Sequence, residues 1–200
     1  MGASKDNLSV DVAKAYATNV AESAQSGRAR FTFLLGNSEV HCVAAYRFGQ
    51  YSAELKERHR FLGAVAQTTH RIWNRKVTHL DHCEISGAAS IGPGMLLMHR
   101  HGIILGPVEL GSNCVIHQNV TIGQRVAAGD QGVPRIGNDV WIGPGAVITG
   151  AITIGDGVTI SAGTILSRDV PAHCLVGGNP GRVIAHDYDN RSILNYSVES

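Results

Sequence analysis

Residues 136–171 read IGNDVW IGPGAV ITGAIT IGDGVT ISAGTI LSRDVP, six hexapeptides in one frame. Ile136, Ile142, Ile148, Ile154, Ile160 and Leu166 open them, and Val140, Ala146, Ile152, Val158, Thr164 and Val170 follow four residues later. That period matches neither the roughly 3.6 residues of a helical turn nor a strand of ordinary length. It fits a solenoid whose coil has three short flat sides, each sending one aliphatic residue into a stacked interior. Gly, Asn and Asp in between suit the corners, where the chain turns sharply. From about Thr78 onward the same pattern appears in ISGAAS IGPGML LMHRHG and LGSNCV IHQNVT IGQRVA.

Two irregularities break this register. Within MLLMHRHGIILG, residues 95–106, the frame slips by one residue between Leu97 and Ile104. Between Ile122 and Ile136 stands GQRVAAGDQGVPR, whose Gly and polar residues predict a loop outside the solenoid over about residues 124–135. Regular coils are scaffold, so departures from them are where a site is expected. His99 and His101 lie at the slip, and His117 and Gln118 follow about one coil later.

Upstream the period is helical. Val12, Ala13, Tyr16, Ala17, Val20, Ala21 and Ala24 predict a helix over 9–25, with Ser9 as N-cap and Gly27 as stop. Val40, Val43, Ala44, Phe48, Tyr51 and Leu55 predict a second over 38–58, and a third is expected over 60–75. The expected organisation is a helical region at 1–77, a solenoid domain at 78–186 and a tail at 187–200.

At 200 residues, 44% hydrophobic and 16% charged, the chain can bury one sizeable core. Its net charge of +1 conceals an asymmetry: residues 1–76 carry eleven Lys and Arg against six Asp and Glu, and the remainder six against ten. Arg28, Arg30, Arg58, Arg60, Arg71, Arg75 and Lys76 are spread through helical segments, as on a solvated face, so no nucleic acid partner is expected. The opening MGASKDNLSVDVAK lacks a basic stretch leading into an apolar core, and no run approaches the roughly 18 apolar residues of a membrane span. A cytoplasmic location without membrane contact is expected, and Asp6 after Gly2 fails the myristoylation pattern. Cys42, Cys83, Cys114 and Cys174 contain no C-x-x-C pair, so buried free thiols are expected rather than a disulfide framework or zinc knuckle.

The I-G-x-x-[STAV]-x pattern resembles the left-handed parallel β-helix of the hexapeptide-repeat acyltransferases. The implied fold class is mainly β: a left-handed parallel β-helix solenoid preceded by a small α-helical N-terminal region. Over roughly residues 80–185 the chain is most similar to the serine acetyltransferase family. HCEISGAASIGPGMLLMHRHGIILG resembles that family's Asp-Ile-His-Pro pattern followed by aliphatic-Asp-His-x-x-Gly-Ile; VIHQNVTIG matches its next coil, and VPAHCLVGGNPGRVI its closing segment. His99 matches the catalytic histidine and Glu84 the carboxylate that holds the imidazole. Three departures stand out. Met98 replaces the Asp beside the histidine that helps hold the amino acid, Gly132 and Val133 replace an Arg-His pair that grips the substrate carboxylate, and His101 occupies a usually small position.

The resemblance implies acyl transfer from acetyl-CoA, or another acyl-CoA, to a hydroxyl or amine of a small metabolite or sugar. His99 is expected to take the acceptor's proton, as suits an imidazole with a pKa of about 6.5, with Glu84 orienting the ring. Met98, His101, His117 and Gln118 are expected to line the acceptor site. Gly123, Ala146, Ala162, Pro180 and Arg182 are expected along the coenzyme, Arg182 meeting phosphate. The amide of Gly123 or Gly102 would stabilise the oxyanion. A homotrimer with sites between subunits is implied, with helices that pair trimers or hold a second protein.

A lost charge-assisted hydrogen bond costs about 1.5–3 kcal/mol, so the three departures predict an acceptor other than free L-serine. Serine O-acetylation is the alternative, with Arg100 or Arg125 supplying the carboxylate clamp. Restoring the family residues at Met98, Gly132 and Val133 is expected to raise turnover of L-serine. No metal is expected: γ-class carbonic anhydrases use the same solenoid with three histidines, but His99, His101 and His117 lack their H-x-x-x-x-H spacing. A non-catalytic scaffold would leave His99 unexplained.

Overall fold

The computed structural model describes residues 3–20, 27–124 and 132–194. Four helices lead: α1 (Ala3–Asn19), α2 (Gly27–Gly36), α3 (Ser38–Arg58) and α4 (Arg60–Lys76), the last running into a π-helical turn, Val77–Asp81. Asn37 caps α3, its side chain accepting from the Val40 amide at 2.8 Å. The expected first helix is corrected at its start: α1 begins at Ala3, and Ser9 donates to the Asp6 carbonyl from inside it. Residues 21–25 of that expected helix lie outside the described residues. The stop at Gly27 is also corrected, because GRARFTFLLG forms α2. Phe31 and Leu35 of this helix are exposed, so no one-sided apolar stripe announced it.

Fifteen short strands follow among the described residues. One face of the solenoid stacks β1 (Cys83–Ile85), β4 (Ile103–Leu105), β7 (Thr121–Gly123), β10 (Val147–Thr149) and β13 (Ile165–Leu166). The second stacks β2 (Ser90–Ile91), β5 (Glu109–Leu110), β8 (Arg135–Ile136) and β11 (Thr153–Ile154), extended by a bridge from Ile154 to Val170. The third stacks β3 (Leu96–Met98), β6 (Val115–His117), β9 (Trp141–Ile142), β12 (Thr159–Ile160) and β14 (Leu175–Gly177). All these pairs are parallel; β15 (Arg182–Ala185) turns back antiparallel on β14. Three faces and five coils result, with the hexapeptide as one side of a coil.

The registers align three interior columns: Ile85, Leu105, Ile122, Ile148 and Leu166; Ile91, Leu110, Ile136, Ile154 and Val170; Leu97, Ile116, Ile142, Ile160 and Val176. All but Ile85, at the open end, are buried. Burying each such side chain contributes about 1.5–3 kcal/mol, so the columns hold the coils in register. The single-residue slip is corrected in detail. Leu105 fills the column, while Ile104 points outward and is 47% exposed. The step from Leu97 to Leu105 is thus eight residues and the step from Leu105 to Leu110 five, where six is the rule. Two residues are added at one corner and one removed at the next.

Helix α3 closes the open end, with Cys42, Val43, Ala45 and Tyr46 joining the solenoid core. The fixing element is a buried ion pair, Arg47 with Asp11 of α1 at 2.9 Å. Arg47 also donates to the carbonyls of Ile91 (2.7 Å) and Gly92 (2.6 Å), and Asp11 Oδ1 accepts from the amides of Gly94 (2.7 Å) and Met95 (2.9 Å). One pair therefore ties two helices to the first coil's backbone. Removing one partner of such a pair costs about 3–5 kcal/mol, because the other charge stays buried, whereas an apolar replacement of both is often tolerated. Urea melts are expected to show Arg47→Ala destabilised by about that amount and Arg47→Met/Asp11→Leu recovering much of the loss.

Candidate functional site

The corner leading from the third face to the first repeats at each coil with one backbone pattern. Gly102 N–H donates to the His82 carbonyl, Asn119 N–H to His101, Gly145 N–H to Gln118 and Gly163 N–H to Pro144, at 2.8–3.0 Å. His101, Gln118, Pro144 and Ala162 therefore stack along one edge of the prism. The two added residues of the first coil, His99 and Arg100, have no counterpart above and bulge from this edge. His99 takes a left-handed conformation, φ 56°, in which its side chain stays exposed. A non-glycine residue there is uncommon, and the widened corner requires it.

Beside His99 lie Met98 and His117, which are register partners on β3 and β6. His117 is half-buried, its ring 4.7 Å from that of Trp141. Burial, reinforced by repulsion from His99, holds the His117 imidazole below its ordinary pKa. Gln118 works weakly against this shift, yet its Oε1 is buried without a hydrogen bond of regular geometry. His101 is exposed, its ring 6.4 Å from His82.

The expected residues divide in a consistent way. Met98, His99, His101, His117 and Gln118 are brought together at the lower two coils. Ala146, Ala162, Pro180 and Arg182 belong to successively higher levels of the same edge, over a rise of about 14 Å for three strand spacings. Ala162, Pro180 and Arg182 are exposed there. Ala146 is fully buried, its amide donating to Gly143 and its carbonyl accepting from Thr121. Gly123 lies instead at the far end of the first face, its carbonyl accepting from Gly150. Glu84 is exposed on β1 in register with Ile104, in the strand beneath the one that the His99 corner feeds, and no hydrogen bond joins it to His99.

Two expectations are corrected. Arg100 is not a free clamp for a substrate carboxylate, because its Nε donates to Asp81 at 2.7 Å and its guanidinium lies 3.6 Å from Glu39. The Gly102 amide is not open to an oxyanion, being bonded to His82. Arg125, and residues 125–131 of the expected loop, lie outside the described residues. Gly132 at the loop's foot has φ 68°, and a Cβ there would stand 2.8 Å from that of Ala151, so Arg at this position requires the loop to shift. Among the described residues, no three His, Cys, Asp or Glu converge as a metal ion needs. No helix among them is long and apolar enough to cross a membrane.

Sequence reasoning missed Trp141, whose ring shapes the wall beside His117, and the tail. Asn190 donates to the Asp139 carbonyl at 2.8 Å, and α5 (Arg191–Leu194) then lays Leu194 against Leu96, Val115, Ala15 and Val40. Neither was visible, because both depend on contacts between segments far apart in the chain.

The chain matches two family models, Bacterial transferase hexapeptide (six repeats) over residues 134–168 and Hexapeptide repeat of succinyl-transferase over 101–124. It is 38% identical over 115 residues to the serine acetyltransferase of Synechococcus elongatus, covering 55% of this chain and 47% of that one. With the serine acetyltransferase of Bacillus subtilis it shares 31% over 163 residues, 81% of this chain and 71% of that one. The structure of soybean serine acetyltransferase complexed with serine superposes with a TM-score of 0.72 at 26% identity, covering 92% of this chain and 70% of that one.

His117 has a folded pKa below the unfolded value of about 6.5. Its contribution to stability is therefore present above that pH and lost as the pH falls through the folded value. NMR titration should place the His117 midpoint below 6.5 and move it upward in His99→Ala. Acidification from pH 7.5 to 5 should destabilise wild type more than His117→Gln in denaturant melts.

Proposed function

Because this chain belongs to the serine acetyltransferase family, we propose that it transfers an acetyl group from acetyl-CoA to the hydroxyl of a small molecule at the His99 corner. The observation that carries the reading is His99 itself. It matches the family's catalytic position, and the solenoid gives it a corner that is two residues too long.

In the proposed step the acceptor oxygen attacks the thioester carbonyl as His99 removes its proton. The carbon–oxygen bond forms, the carbon–sulfur bond breaks, and the leaving thiolate takes the proton back from the imidazolium. No side-chain nucleophile intervenes. Glu84 is the proposed orienter; catalytic hydrogen bonds are often long until substrate closes the site, so it would swing toward His99 from β1. The Gln118 Oε1 would accept from the acceptor. The coenzyme would climb the edge past Ala162, its phosphates reaching Arg182, which has no ion-pair partner among the described residues. Gly123 and Ala146 are weaker participants, since Gly123 stands at the other end of its face and the backbone of Ala146 is already bonded.

Ile104, Thr121, Val147 and Ile165 form an outward row on the first face, in which Ile104 and Ile165 are exposed apolar side chains. A homotrimer with the first face near the subunit boundary would cover these two side chains.

For the acceptor, kinship with proteins named serine acetyltransferase supports serine O-acetylation at least as well as transfer elsewhere. A second acceptor class is favoured by Met98, and by Arg100 being held by Asp81 and Glu39. Release of free CoA thiol from acetyl-CoA, with L-serine and with a panel of alcohols and sugars, tests both. His99→Ala is expected to lower kcat/KM by about 10²–10⁴ for whichever acceptor is used. Met98→Asp alone should raise kcat/KM for L-serine; no gain would place the amino acid's ammonium elsewhere.

A further inference from the structure

We propose that an apolar pocket beside His99 holds an aliphatic or aromatic group of the acceptor, making the substrate a hydrophobic alcohol rather than a zwitterionic amino acid. This inference rests on the acyl-transfer reading and specifies its acceptor. The pocket has a volume of about 190 Å³ and lies against the outer side of the third face. Leu96 and Met98 of β3, Val115 and His117 of β6, Trp141 of β9, Ile193 and Leu194 of α5 and Thr18 of α1 line it. Three observations carry it.

The first is position. Met98, in the wall, is bonded directly to His99, and His117, also in the wall, is close enough to His99 to feel its charge. A group seated there presents an attached hydroxyl at the widened corner. The second is chemistry. The lining is mostly aliphatic and aromatic, the Thr18 hydroxyl is already committed to the Lys14 carbonyl, and His117 is the one titratable member, so no carboxylate or guanidinium meets an ammonium or carboxylate. Charged groups taken from water into such walls cost heavily without a partner. The third is size. An apolar cavity of about 150 Å³ holds a benzene ring, so this one admits a phenyl or a branched chain of five to six carbons. The Trp141 indole offers such a group a face on which to stack.

The direct test is binding of benzyl alcohol followed by the emission of Trp141, in Trp73→Phe so that the protein's other tryptophan is silent. The second arm measures acetylation of benzyl alcohol and of L-serine by CoA release, in wild type and in Ile193→Phe. That variant fills the pocket from the tail, away from His99. The expected results are a saturable change in Trp141 emission, and a KM for benzyl alcohol at least tenfold higher in Ile193→Phe with the KM for acetyl-CoA unchanged. Acetylation of L-serine with no response of Trp141 to benzyl alcohol overturns the pocket while leaving acyl transfer intact. If Ile193→Phe instead raises the KM of a longer acyl-CoA, the pocket belongs to the donor and the proposal is overturned. A saturable emission change with no acetylation of any acceptor upholds the pocket and overturns the acyl-transfer reading beneath it.

Discussion

Three columns of aliphatic side chains, one residue from each side of each coil, govern everything else in this molecule. Their registry leaves six residues for a side, so any surplus must leave the prism. The surplus between Leu97 and Leu105 leaves as the His99–Arg100 bulge. The cores of the coils are thereby conserved in geometry while one edge is free to carry chemistry. That separation is economical: rigid stacked strands on both sides fix the bulge, and the left-handed backbone at His99 keeps its ring outside.

A stack of coils cannot end in water at either side without exposing its columns. At the lower end α3 supplies the cover, and the Arg47–Asp11 pair fixes it by bonding to the first coil's carbonyls and amides. Asp11 lies on α1, so the same pair sets α1 against the third face. There Ala15 and Val40 meet Leu96, Val115 and Leu194 in a second, smaller core. The apolar wall beside His99 is the open margin of that core. A structural requirement, closing the solenoid, thus shapes the ground on which an acceptor would rest.

How much of this was legible in the sequence follows from the range of each interaction. The hexapeptide columns repeat locally, so the solenoid and the unusual corner could be read from spacing alone. At the corner Ile104 and Leu105 are both aliphatic, and spacing could not tell which faces inward; the strand register decides for Leu105. Helix α2 carries no one-sided stripe and was read as a stop. Arg47 and Asp11 are 36 positions apart and look like ordinary helix charges until the fold buries them. Arg100 looked available for a substrate carboxylate because Asp81 and Glu39 approach it only in three dimensions. Met98 and His117 meet as register partners of β3 and β6, and the tail and Trp141 that enclose them are assembled from distant segments.

The central claim is that the widened corner, and the edge rising from it, form the acyl-transfer site. A crystal structure of the protein with coenzyme A tests it most directly. The account predicts the thiol end beside His99 and the phosphates near Arg182, with the pantetheine running past Ala162. Coenzyme A seated on the second face, or with its thiol remote from His99, would contradict it.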